Sequence, residues 1–254
     1  MSQPSLRVLS RFLRLGWVIV SGMVALVWFL LRVSGNETAG RIAWMQWMSR
    51  RFLALLHCQV TVSGDIPSEG LIASNHLGYV DILVMGSLCP AIFVAKSDVN
   101  GWPVFGWLTR NAGTIFVSRD HPTKVPAQLS EMKKPLKEGI PVVLFPEGTS
   151  SDGSSVLPFR SSLLESGVRS GKLVTPAGIA YDLLEDGDPG QEIAYWGDHT
   201  LLPHLLNLLS KSAFEARITF GLSRPTEPDR KREAKRLQCE VAQLVKKRPG
   251  DPQP

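Results

Sequence analysis

From residue 59 onward the chain alternates short apolar runs of strand character with helical stretches, and no other feature restricts its fold as much. Strands are predicted at 59–63, 71–74, 91–96, 113–118, 141–145, 172–180 and 216–222, with helices between them at 81–88, 102–110, 124–137, 161–166 and 201–209. This order implies an α/β fold with a mainly parallel central sheet flanked by helices. In such sheets ligands bind beyond the carboxyl ends of the strands. The 254 residues suffice for one substantial domain with a buried core.

The stretch 71–81, LIASNHLGYVD, reads as a strand entering a helix through a polar turn. Residues five apart on an ideal helix lie about 140° around its axis. His76 must therefore sit in the turn before the helix if Asp81 is to reach it. A His held by a carboxylate at the mouth of a sheet has a fixed tautomer and a more basic ring. A His and an Asp at this spacing are also common by chance in solvated loops, so the pair needs support from the rest of the chain.

Ahead of the α/β region lies a different kind of sequence. Residues 1–14 are apolar and basic, carrying Arg7, Arg11 and Arg14, and residues 15–31 run without a charge, with Trp17 and Trp28 near the ends. Seventeen residues is the short end for a spanning helix, and rather long for a signal peptide. A second helix, within 38–57, carries Trp44 and Trp47 with a basic edge, as suits the membrane interface. Residues 15–57 are accordingly expected to form a membrane-docking helical hairpin, with a single span as the rival arrangement. The arginines after residue 31 argue against a full crossing. The expected division is a basic segment at 1–14, the hairpin at 15–57, the α/β domain at 58–248 and a disordered tail at 249–254.

The net charge of +5 permits an anionic partner. Three scattered cysteines, Cys58, Cys89 and Cys239, give neither a disulfide framework nor a zinc spacing. The C-terminal helix, expected from a Thr226-x-x-Asp229 cap, has a basic outer face but no aromatic interleaving, so no nucleic-acid partner is expected.

Four short blocks follow or close predicted strands: Asn75-His76-Leu77-Gly78-Tyr79-Val80-Asp81, Gly113-Thr114-Ile115-Phe116-Val117-Ser118-Arg119, Phe145-Pro146-Glu147-Gly148-Thr149-Ser150 and Leu173-Val174-Thr175-Pro176-Ala177. In order and separation they resemble the four motifs of the glycerolipid acyltransferase superfamily, of the lysophosphatidic acid acyltransferase type. The resemblance is strong over about 70–180, and residues 15–57 look like that family's membrane hairpin. It implies an O-acyltransferase moving a fatty acyl group from acyl-CoA or acyl-carrier protein to the hydroxyl of a lysophospholipid, with lysophosphatidic acid the first expectation. A site at the cytoplasmic face of the inner membrane is expected because the three arginines ahead of the apolar run would keep the N-terminus in the cytoplasm. No cofactor or metal is expected beyond the acyl co-substrate.

The residues fit this chemistry. His76 can take the hydroxyl proton, with Asp81 orienting the ring and stabilising the imidazolium. No Ser or Cys stands in an activating motif, so direct attack by the acceptor alcohol is the simpler route. Arg119 suits bidentate phosphate binding, and Lys96 is a second phosphate candidate. By resemblance Glu147 lies at the acceptor site, with Gly148 and Thr149 letting the backbone approach the head group. Oxyanion donors are expected from amides near His76 or Gly148. Where many members carry an Arg after F-P-E-G-T, this chain has Ser150 and Ser151, leaving Arg160 to supply charge. That departure keeps a lyso-ornithine lipid or another lysolipid open as acceptor. A non-enzymatic lipid-binding adaptor is the reading from another class. His204, at an apolar helix start, is expected to be structural.

Overall fold

The computed structural model describes residues 3–32, 37–102, 104–118 and 125–248. Two long helices come first, α1 (Gln3–Arg32) and α2 (Glu37–Leu56). There follow β1 (Cys58–Ser63), β2 (Leu71–Ser74), α3 (Tyr79–Leu88), β3 (Ile92–Lys96), α4 (Phe105–Asn111), β4 (Ile115–Val117), α5 (Val125–Ser130), α6 (Lys133–Lys137) and β5 (Val142–Leu144). The rest comprises α7 (Ser161–Arg169), β6 (Leu173–Leu183), α8 (Pro189–Glu192), α9 (Leu201–Ser210), β7 (Phe214–Phe220), β8 (Arg224–Pro225) and α10 (Arg230–Lys246). The tail at 249–254, expected to be disordered, lies outside the described residues.

Among the described residues the strands form one sheet in the order β1-β7-β6-β2-β5-β3-β4, with β8 also pairing with β6. The run β6-β2-β5-β3-β4 is parallel, and β7 joins β6 antiparallel. The α/β architecture is thus the expected one. Both faces of the central strands are covered, which is why β2 and β5 are wholly apolar or small and fully buried. Ile72 and Val143 point into the core beneath α2 and α3, while Leu71 and Leu144 join Leu129, Leu164 and Leu237 on the opposite face.

Two expected helices differ for a clear local reason. The segment predicted as one helix over 124–137 is broken between α5 and α6. Pro135 has no N–H and its ring crowds the carbonyl four residues back, at Glu131, so the chain restarts and Pro135 falls in the first turn of α6. The last helix starts three residues later than a Thr226 cap requires. Asp229 caps it by accepting from Lys231 N and Arg232 N, and the Thr226 hydroxyl bonds to the Val168 carbonyl instead. Pro176 pairs with Ala73 of β2 on one side and is tolerated in a central strand because its other side falls between ladders: β7 pairs with β6 from Ala177 onward, and β8 pairs only up to Val174.

The N-terminal hairpin is present, but α1 runs unbroken through residue 14. Contacts of Gly22 with Met48, and of Gly40 with Phe29 and Leu30, make α1 and α2 antiparallel, and the Trp44 indole donates to the Gly22 carbonyl at 2.7 Å. The first arginines are not free charges. Arg7 donates to Ser210 O, and Arg11, 3% exposed, donates to the carbonyls of Leu209, Lys211 and Ser212. Together they cap the C-terminus of α9, where a cation offsets the unpaired carbonyls. The outer side of α1 is apolar and open: Leu13, Trp17, Val24 and Leu31 are each at least two-thirds exposed. An apolar face of that length marks a surface that a partner or a membrane covers.

Candidate active site

The parallel register places the ends of β2 and β5 side by side, with Ala73 opposite Leu144. The turn after β2 and the loop after β5 therefore meet, and they hold His76 and Glu147. His76 Nδ1 lies 2.7 Å from Asp81 Oδ2, and its ring stacks on Phe145 at 4.2 Å between centroids. The same Oδ2 accepts the amides of Leu77 at 2.6 Å and Gly78 at 2.9 Å. Asp81 has no exposed surface. A carboxylate facing three donors only accepts, so Nδ1 carries the proton and Nε2 presents its lone pair outward.

The turn that allows this needs Gly78. Its φ of 155° and ψ of −167° belong to a region open essentially to glycine, and a Cβ there would lie 2.8 Å from Tyr195 N. Asn75 fixes the other side, exchanging hydrogen bonds with both the amide and the carbonyl of Ile179. Neither Asn75 nor Tyr181, whose hydroxyl donates to Asp81 Oδ1 at 2.6 Å, was among the expected site residues. A lone Tyr in a strand of small apolar residues is the sequence signal, since a buried phenol needs a partner.

Glu147 is 2% exposed, and its Oε1 accepts the His76 amide at 3.1 Å. It faces the interior of the His76 turn, where expectation had set it among acceptor contacts. Burial pushes its carboxyl up to about 8, against the pull of the His76 and Leu157 amides. An acid raised in the fold costs stability as pH climbs from the unfolded value of 4.5 to about 8, because only the unfolded chain gives up its proton across that window. Thermal stability should therefore fall between pH 5 and 8. Glu147→Gln, which keeps an acceptor for the His76 amide, should flatten that fall. Melting curves at the two pH values check this, and equal slopes in both proteins would contradict it.

Those of the other expected residues that the structure describes are spread along the same rim. Gly148 takes φ 74° and its amide bonds back to Phe145 O, while Thr149 is exposed beside it. Lys96 ends β3 and is paired with Asp98. Ser118 follows β4 on this edge, three strands from β2, but Arg119 lies outside the described residues. Arg160 supplies a guanidinium close to the loop: its Nε donates to Glu147 O at 3.2 Å. Ser150, standing where an Arg is common, donates to Tyr195 O at 2.6 Å and ties that segment to the loop. Four of the amides in these two loops are already used. Those of His76, Leu77 and Gly78 go to Glu147 and Asp81, and that of Gly148 to Phe145. His204 is structural, as expected, with Nδ1 on the Tyr79 hydroxyl and Nε2 on Ala194 O.

An Acyltransferase family model matches residues 57–180. Lyso-ornithine lipid O-acyltransferase of Pseudomonas aeruginosa is 34% identical over 210 residues, covering 80% of this chain and 80% of its own. The chain belongs to the acyltransferase family. The 1-acyl-sn-glycerol-3-phosphate acyltransferase of Neisseria meningitidis serogroup B is 33% identical over 137 residues, 53% of this chain and 54% of that one. The crystal structure of the 1-acyl-sn-glycerophosphate (LPA) acyltransferase PlsC from Thermotoga maritima superposes with a TM-score of 0.66 at 20% identity, covering 97% of this chain and 98% of that one. That likeness extends to the N-terminal helices as well as the sheet, so the acyltransferase shares the whole architecture and not the catalytic half alone.

Proposed function

We propose that this acyltransferase moves a fatty acyl group from a thioester donor, acyl-CoA or acyl-carrier protein, to the free hydroxyl of a lysolipid. The observation that carries the reading is the 2.7 Å contact between His76 Nδ1 and the fully buried Asp81. His76 Nε2 takes the acceptor's proton as its oxygen attacks the thioester carbonyl. The tetrahedral intermediate then collapses, the C–S bond breaks, and the imidazolium returns the proton to the leaving thiolate. Asp81 stays ionised throughout and stabilises the imidazolium. Glu147 holds the His76 backbone, and Arg160 and Arg119 are the cations offered to the head group.

Among acceptors we place lyso-ornithine lipid first and lysophosphatidic acid second. The fuller-length relative named above acts on the former, while the Neisseria relative and the expectation from the motifs favour the latter. The serines at 150 and 151 lower the positive charge of the loop, which suits a head group bearing one carboxylate and an ammonium better than a phosphate. The exposed apolar face of α1 is the surface proposed to lie in the inner membrane. Acyl thioesters are made in the cytoplasm, so the site is proposed to open there. The test is to incubate the detergent-solubilised full chain with each labelled donor and each lysolipid. Faster acylation of lyso-ornithine lipid supports the order given, and faster acylation of lysophosphatidic acid reverses it. Binding of either lysolipid without transfer from either donor would leave the adaptor reading in place of this one.

A further inference from the structure

Asp81 has two oxygens, and the turn around His76 accounts for one of them. The other is engaged from β6. Tyr181, 7% exposed, donates its hydroxyl to Oδ1 at 2.6 Å, and its ring packs edge-on against Phe214. Burial, with Asp81 beside it, holds the phenol well above its ordinary value, so it remains a donor at any working pH. The titratable groups around the pair are His76 in the turn, Tyr79 in α3, Glu147 after β5 and Cys58 in β1.

We infer that Tyr181 is a positioning residue for acyl transfer: its hydroxyl anchors Asp81 Oδ1, keeps Oδ2 aimed at His76, and sets how much carboxylate charge the imidazolium feels. This rests on the reading of His76 as the base. A donor on the far oxygen draws charge from the carboxylate. Removing it leaves a buried acceptor unpaired and the remaining charge concentrated towards His76.

Tyr181→Phe keeps the ring and deletes the hydroxyl. Expected results are a fall in kcat of about tenfold, the scale of a lost hydrogen bond to a charged group, unchanged KM for donor and acceptor, and a rising limb of the pH–rate profile moved to higher pH. Because the effect passes through Asp81, the double variant Tyr181→Phe/Asp81→Ala should be no slower than Asp81→Ala alone. Wild-type kcat and pH profile in Tyr181→Phe, or additive losses in the double variant, would overturn the inference. Should the Phe variant fail to fold, 3-fluorotyrosine placed at position 181, a stronger donor of nearly the same shape, should move the limb to lower pH; an unmoved limb overturns the inference equally. His76→Ala run alongside separates the two readings. Activity there removes both, whereas an inactive His76→Ala beside an unaltered Tyr181→Phe removes this one alone.

Discussion

His76→Ala is expected to lower turnover by about three orders of magnitude, within the range contributed by a general base. KM for donor and acceptor should change little, because the ring's contribution arises as the acceptor proton moves. The fold should survive. His76 is partly exposed and its side chain touches the rest of the protein through Phe145 and Asp81, both of which are held by other contacts. The loss should therefore appear in initial rates of acyl transfer with a melting temperature close to that of the wild type. Full activity in a folded His76→Ala protein would remove the imidazole from the reaction.

Asp81→Asn is the second large effect, expected at about a hundredfold in kcat, within the one to three pK units that a neighbouring opposite charge contributes. The surroundings dictate how the amide sits. Three donors, His76 Nδ1–H and the Leu77 and Gly78 amides, converge on Oδ2, so the Asn oxygen must face them and its NH2 must turn towards Tyr181. A phenol oxygen can accept from that NH2, so the local hydrogen bonds are largely kept. What disappears is the charge facing the imidazolium. The variant should stay folded, and its rate should rise with pH along a limb displaced to lower pH, since protonated His76 has lost its partner. A rate near wild type, or a limb at unchanged pH, would show that the carboxylate's charge is not used.

How far the sequence leads can be judged from these same residues. His76 and Asp81 fall within six positions, so the turn that joins them is local, and the apolar-to-polar change at 74–76 marks it. The strand and helix alternation likewise needs only near neighbours, and it leads to the right fold class. Contacts set by long-range register stay hidden. Tyr181 meets Asp81 across a hundred residues of chain, because β6 continues past the end of β2 for another six positions. Glu147 lies between Pro and Gly in a motif that suggests an open loop, yet the β2–β5 register seals it against the His76 amide. The block 173–177 opens β6 within the sheet and does not close a strand at the rim; what β6 contributes to the site comes from Ile179 and Tyr181, beyond the block. Arg11 reads as a topogenic charge, and only the packing of α1 along α9 turns it into a cap.

That clasp of Arg7 and Arg11 on the last turn of α9 has a mechanical corollary. With α1 tied to the sheet layer at one end and laid against α2 along much of its length, the helix cannot swing out like a tether. Any bilayer that takes up its apolar side must take the whole molecule at one fixed tilt. The height of His76 above the lipid is then a property of the fold itself, set before any substrate arrives.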